Sequence, residues 1–119
     1  MSLIGIVQGR ISESPKDRLQ FFPKNWKSEF EKVKKLDYDF IEFFTERKLN
    51  KKNPVWNKTG INDYIYLSKK HNLKIFNFCD DFIISNSIKE KNKMKYLEKL
   101  IRNLNILKVK NLILPFYGK

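Results

Sequence analysis

The chain has 119 residues, with 25 Lys and Arg against 13 Asp and Glu, for a formal net charge of +12. That length suits one compact domain, and no apolar run approaches the ~20 residues that a membrane-spanning helix needs. Cys79 is the only cysteine and His71 the only histidine, which excludes an intrachain disulfide, a cysteine metal cluster and a paired-histidine zinc motif.

The first apolar run lies at residues 3–7 and starts without the basic segment and long apolar core of a signal peptide. A reducing cytoplasm is therefore the expected compartment, and Asn57-Lys58-Thr59 reads as a chance sequon. A first helix follows, with Trp26, Phe30, Val33 and Leu36 at helical spacing, Asn25 as N-cap and 36–39 as its end. The second apolar run is 40–44. The second helix starts at Thr59 as N-cap and runs through Ile61, Tyr64, Ile65 and Ser68 to His71-Asn72. The third run is 74–78. A third helix opens on Ser87-Ile88-Lys89-Glu90, which fits a capping box, and carries Met94, Leu97, Ile101, Leu104 and Leu107 as its apolar stripe. The fourth run is 112–116.

The four runs begin roughly every 35 residues, and each is near-continuously apolar, as strands covered on both faces are. Strands alternating with amphipathic helices predict an α/β fold with a parallel sheet. Four strands and three helices are half of a (β/α)₈ barrel, which takes about 250 residues. The expectation is a single domain over 1–119, the N-terminal half-barrel of a fragment or truncated chain, with two open sheet edges.

Polar residues gather where these strands end: Gln8, Gly9 and Arg10, then Thr45 and Glu46, then Asp80 and Asp81, then Tyr117. Ligands of parallel α/β sheets bind at those ends, although solvent also begins there. Glu42 stands out more, because alternation within 40–44 turns it away from Ile41 and Phe43 and towards the barrel interior. A carboxylate at such a position needs a cation, donors or a ligand hydroxyl. Arg10 on the neighbouring strand is the expected partner, in a binding pocket or in a purely structural ion pair, and Asn77 is a second polar group for the same layer. Asp80 and Asp81 are adjacent on a strand, so one of them faces the helix layer or caps a turn. His71 suits a helix C-terminus, Cys79 a small core position, and Phe21, Phe22 and Trp26 packing. No phosphate-binding glycine motif is present. A receiver-type domain is excluded, because Gln8-Gly9-Arg10 stands where that fold places an acidic pair.

The opening Ile4-Gly5-Ile6-Val7-Gln8-Gly9-Arg10-Ile11-Ser12 resembles the start of bacterial sugar phosphate isomerase/epimerase proteins with a xylose isomerase-like TIM barrel. Leu19-Gln20-Phe21-Phe22-Pro23, Glu29-Phe30, the 36–44 segment with Glu46 beyond, and Asn53-Pro54 follow in the family's order. Cys79-Asp80-Asp81-Phe82 resembles its Cys-Ala-Asp-Tyr segment, and 112–116 its fourth strand. The resemblance implies isomerisation or epimerisation of a small sugar or sugar phosphate by proton transfer next to a carbonyl. It makes Glu42 and Asp81 the catalytic candidates, and Gln8, Arg10 and Glu46 the substrate-binding ones. It also implies a divalent metal in a full-length barrel, held by second-half residues that have no counterpart here. On that ground these residues alone are expected to be inactive, with a homodimer or a complementing C-terminal half-barrel as partner.

Two other classes compete. The net charge suits an abasic-site endonuclease-like or other nucleic-acid-binding member of the same barrel superfamily. Composition offers a plainer origin for that charge. The chain has no alanine, four arginines, and many Lys, Asn, Ile and Phe residues, the pattern of A/T-rich codons. The third class is a non-catalytic remnant or interaction module.

Overall fold

Phe40–Thr45 (β2) is the longest strand, and its alternation organises the molecule. Ile41 and Phe43 are fully buried under helices, whereas Phe40 and Glu42 are half-buried on the opposite face. In the computed structural model, which describes residues 2–15 and 21–115, β2 is flanked by Gly5–Val7 (β1) and Asn77–Asp80 (β3). Asn111–Ile113 (β4) pairs with the far side of β3. All pairings are parallel, and the strand order is β1-β2-β3-β4. Each strand is laid beside its predecessor, which is the winding of a (β/α) barrel wall; a doubly wound sheet reverses direction partway. The expected α/β half-barrel is therefore the architecture, and the sheet is open.

The helices are Trp26–Lys35 (α1), Lys58–Lys70 (α2), the short Phe82–Ser85 (α3) and Glu90–Leu107 (α4), with a 3₁₀ turn at Pro54–Trp56. Phe30 and Val33 from α1, Tyr64 from α2, and Leu100 and Leu104 from α4 share one core with Ile41, Phe43 and Phe78. The Tyr64 ring stacks on Phe43 at 4.1 Å between centroids. Packing at this density contributes through both burial and ring geometry. Among the described residues no helix is long and apolar enough to cross a membrane.

Several expected boundaries shift, each for a local reason. The α2 N-cap is Asn57, whose Oδ1 accepts from the Gly60 amide at 2.6 Å, so the helix starts before Thr59. Asn25 does precede α1, but without a side-chain cap bond; Ser28 Oγ donates to its carbonyl instead. The third expected helix is α4, the short α3 before Ser87 was not expected, and no capping box forms, because Lys89 occupies the cap. The α4 stripe is also rotated. Met94 and Ile101 are exposed, while Leu100, Leu104 and Leu107 are buried. β3 begins at Asn77, with Lys74 limited to an isolated bridge to Phe40. Here the carbonyl of Phe76 accepts from both Lys110 and Asn111 amides at 3.0 Å, which ties the strand's lead-in to the segment before β4. Helices α1, α2 and α4 are followed by Asp37, Asn72 and Lys108 in the left-handed region, the usual way to turn a chain out of a helix.

Candidate functional site

The carboxyl ends of the strands carry two polar clusters, and both are built largely to hold the fold. At the end of β1 the Gln8 amide donates to the Glu42 carbonyl at 2.9 Å, extending the pairing with β2. The Gln8 side chain turns into the helix layer: Oε1 accepts from the Tyr64 hydroxyl at 3.0 Å and Nε2 donates to the Trp26 carbonyl at 3.5 Å. Gly9 then turns the chain at φ 95°, a conformation that a side chain would strain, and a Cβ there would lie 2.9 Å from the Phe21 carbonyl oxygen. Its amide donates to both carboxylate oxygens of Glu29 at 3.0 Å, and Ser12 Oγ donates to the same group at 2.8 Å. Glu29 is fully buried. Burial pushes its carboxyl up, against the opposing pull of the Ser12 and Gly9 donors and of Lys32. It is the principal residue of this cluster and was not singled out from the sequence as a site residue. One signal was visible: Trp26, Glu29, Phe30 and Val33 lie on a single helical face.

The second cluster joins β2, β3 and α4. Thr45 is the register partner of Asp80. Thr45 Oγ1 and the Tyr96 hydroxyl both donate to Asp80 Oδ1, the latter at 2.5 Å, and the Ile83 amide donates to Oδ2 at 3.1 Å. Burial and the adjacent carboxylate hold the Tyr96 phenol well above its ordinary value. Asp80 is thus the member of the acidic pair that faces the helix layer and caps a turn. Asp81 lies beyond the end of β3, buried, with its amide donating to the Thr45 carbonyl at 3.4 Å.

The opposite face of the sheet presents a different group. Glu42 is half-buried there; burial alone pushes its carboxyl up. Cys79 projects from the same face, and its thiol is pushed up to about 12, first by burial and then by Asp81, Glu42 and Asp80. A thiol so raised is protonated at neutral pH and is no nucleophile. Asn77 also lies on this face, its Oδ1 accepting from Asn111 Nδ2 at 3.0 Å.

The remaining expected site residues are dispersed. Arg10 is exposed in the turn after β1, its amide donating to the Val7 carbonyl at 3.2 Å. The expected Arg10–Glu42 ion pair is not formed: the ion pairs among the described residues are Lys27–Asp63 at 2.7 Å and Lys35–Glu31 at 3.1 Å. The parallel register explains this, since it sets Val7 opposite Glu42, and Arg10 comes three residues later, after the chain has turned. Glu46 accepts from Asn50 Nδ2 at 2.8 Å within the loop after β2. Tyr117, Leu19 and Gln20 lie outside the described residues. Among the described residues, no three His, Cys, Asp or Glu side chains gather to hold a metal ion.

From the open face, the half-buried Glu42 carboxyl can bind a hydroxyl and exchange a proton and the protonated Cys79 thiol can offer a weak donor, while Asp81 is enclosed. No family model matches this chain, and no curated protein matches its sequence.

Proposed function

We propose that this chain supplies the sugar-binding wall of a sugar or sugar-phosphate isomerase/epimerase barrel, with Glu42 as its proton-transfer group. The observation that carries this is the Glu42 carboxyl, set on the inner face of a barrel-type sheet and pushed up by burial. A carboxylate of raised pKa is a stronger base and is better matched to working pH. In the proposed step Glu42 takes the proton from the carbon next to the substrate carbonyl. The C–H bond breaks, an O–H bond forms on Glu42, the C–H electron pair becomes the C=C bond of an enediolate and the carbonyl π pair moves onto its oxygen; return of the proton to the neighbouring carbon, with the substrate's hydroxyl proton passing to that oxygen, or to the opposite face of the same carbon, completes the exchange. Arg10, exposed in the turn after β1, would take a phosphate with its fork of donors. The implied divalent metal finds no donor set among the described residues, so every step here is assigned to the chain's own side chains. A closed site requires an opposing wall, from a second copy or a complementing half-barrel, because the sheet is open along β1 and β4.

The test is an NMR titration of the isotope-labelled chain with fructose 6-phosphate. Shifts should centre on Glu42 and disappear in Glu42→Gln. An unperturbed inner face would defeat the assignment. Tight, salt-sensitive binding of a random DNA duplex at about 0.15 M salt would favour the nucleic-acid alternative that the +12 charge supports.

Glu42→Gln should also stabilise the fold. The folded pKa lies above the unfolded value, so the penalty is absent below the unfolded carboxylate range. It grows as pH rises through the folded pKa. The variant's gain, about 1 kcal/mol or a few degrees of melting temperature at neutral pH, should vanish in acid, as thermal melts at the two pH values would show.

A further inference from the structure

At the far end of the sheet from Asp80, the segments leading into β3 and β4 meet the C-terminal ends of α2 and α4 around a groove of about 520 Å³. Its floor is apolar, formed by Ile65, Ile75 and Phe76. Its rim is cationic: Lys69, Lys74, Lys108 and Lys110 all line it, and no acidic residue does. None of the four is in an ion pair among the described residues. Lys74 and Lys110 place their Nζ atoms 5.5 and 5.4 Å from the centroid of one ring, that of Phe76. Two ammonium groups held at one ring without a carboxylate partner favour an anion beside them. The ends of α2 and α4 offset this charge by only about half an electron each, against four whole cations.

Lys108 adds a backbone argument. It stands at φ 58° just after α4, where glycine is the unstrained choice. A lysine there carries a conformational cost of about 1 kcal/mol.

A bare phosphate or a nucleic-acid backbone would use the rim and leave the floor unused. A neutral apolar molecule would do the reverse. The volume lies within the range of small-molecule pockets. We propose that this groove binds a small amphipathic anion, with its alkyl or aryl body on Ile65, Ile75 and Phe76 and its phosphate or carboxylate head among the four lysines. The groove lies at the opposite end of the strands from Asp80, where its Phe76 ring packs on Phe40 at 5.5 Å, and it does not depend on the sugar reading.

Calorimetric titration of the whole chain with octyl phosphate, below its micellar concentration, tests the proposal. Saturable one-to-one binding is expected, with inorganic phosphate at least about tenfold weaker and octyl glucoside silent. Lys108→Gly should weaken binding about threefold while the melting temperature holds or rises, because glycine relieves the backbone. Lys74→Gln combined with Lys110→Gln should weaken it about tenfold. The absence of saturable binding, or variants that bind like the wild type, would overturn the site. Equal binding of inorganic phosphate would overturn the role of the floor, and equal binding of octyl glucoside that of the lysines.

Discussion

Asp80→Ala should lower stability by about 4 kcal/mol, or roughly 15 °C in melting temperature for a chain of this size. The loss has three sources. Thr45 Oγ1, the Tyr96 hydroxyl and the Ile83 amide each lose a charged acceptor in a site from which water is excluded. Hydrogen bonds to charged groups contribute about 1.5–3 kcal/mol each, and buried donors left unmade cost more than the bonds contributed. The three donors come from β2, α4 and the start of α3, so one carboxylate ties together elements that are distant in sequence. Tyr96→Phe and Thr45→Val should each cost only about 1–2 kcal/mol, because they remove a donor and leave Asp80 two partners. The Thr45–Tyr96 double variant should deviate from additivity, since both donors share Oδ1. Urea melts of the four variants would decide this. An Asp80→Ala loss below about 1 kcal/mol would mean that the cluster is solvated and that Asp80 is free for chemistry.

The same cluster shows what was legible in the sequence. That one of two adjacent aspartates must face the helix layer followed from strand alternation, and Asp80 is that residue. Which of the two it would be depended on where β3 starts, and the run at 74–78 pointed too early. Lys74-Ile75-Phe76 is as apolar as a strand, but the Phe76 carbonyl is claimed by two amides from the β4 side, and only tertiary structure shows that. The rotation of α4 has a similar origin. Met94-Leu97-Ile101-Leu104 and Leu97-Leu100-Leu104-Leu107 are neighbouring stripes with equally helical spacing. The choice between them is made by Tyr96, which reaches Asp80 with its hydroxyl and packs against Trp56 at 5.2 Å. Parallel winding was legible because short, near-continuous apolar runs separated by amphipathic helices mark strands covered on both faces. The Arg10–Glu42 pair was not, because neighbouring strands were identified without their register. Glu29 was missed because a glutamate among apolar residues on a lysine-rich helix looks like part of the solvated face until the loop that it binds is in place.

Glu29→Ala should cost about 3 kcal/mol, and Glu29→Gln no more than about 1 kcal/mol. The contrast separates two roles for a buried acid. Burial raises the Glu29 carboxyl above its ordinary value, so its charged form is disfavoured in the folded chain relative to the unfolded one. By linkage that penalty is absent below the unfolded carboxylate range and grows as pH rises through the folded pKa, so loss of the charge alone cannot destabilise the fold. What Glu29 contributes is acceptors. The Gly9 amide and Ser12 Oγ point at it from a turn that no regular element covers, and φ 95° at Gly9 leaves that amide no strand partner. Glutamine keeps one acceptor and the side-chain volume, whereas alanine leaves both donors and a cavity. The loop so latched is the one that carries Arg10 out of β1. Glu29→Ala should therefore speed hydrogen exchange at Gly9 and Arg10 by at least about tenfold more than global destabilisation accounts for, while Glu29→Gln leaves the local rate near that of the wild type. Equal exchange at Gly9 in both variants would show that the charge, and not the acceptor, fastens this loop.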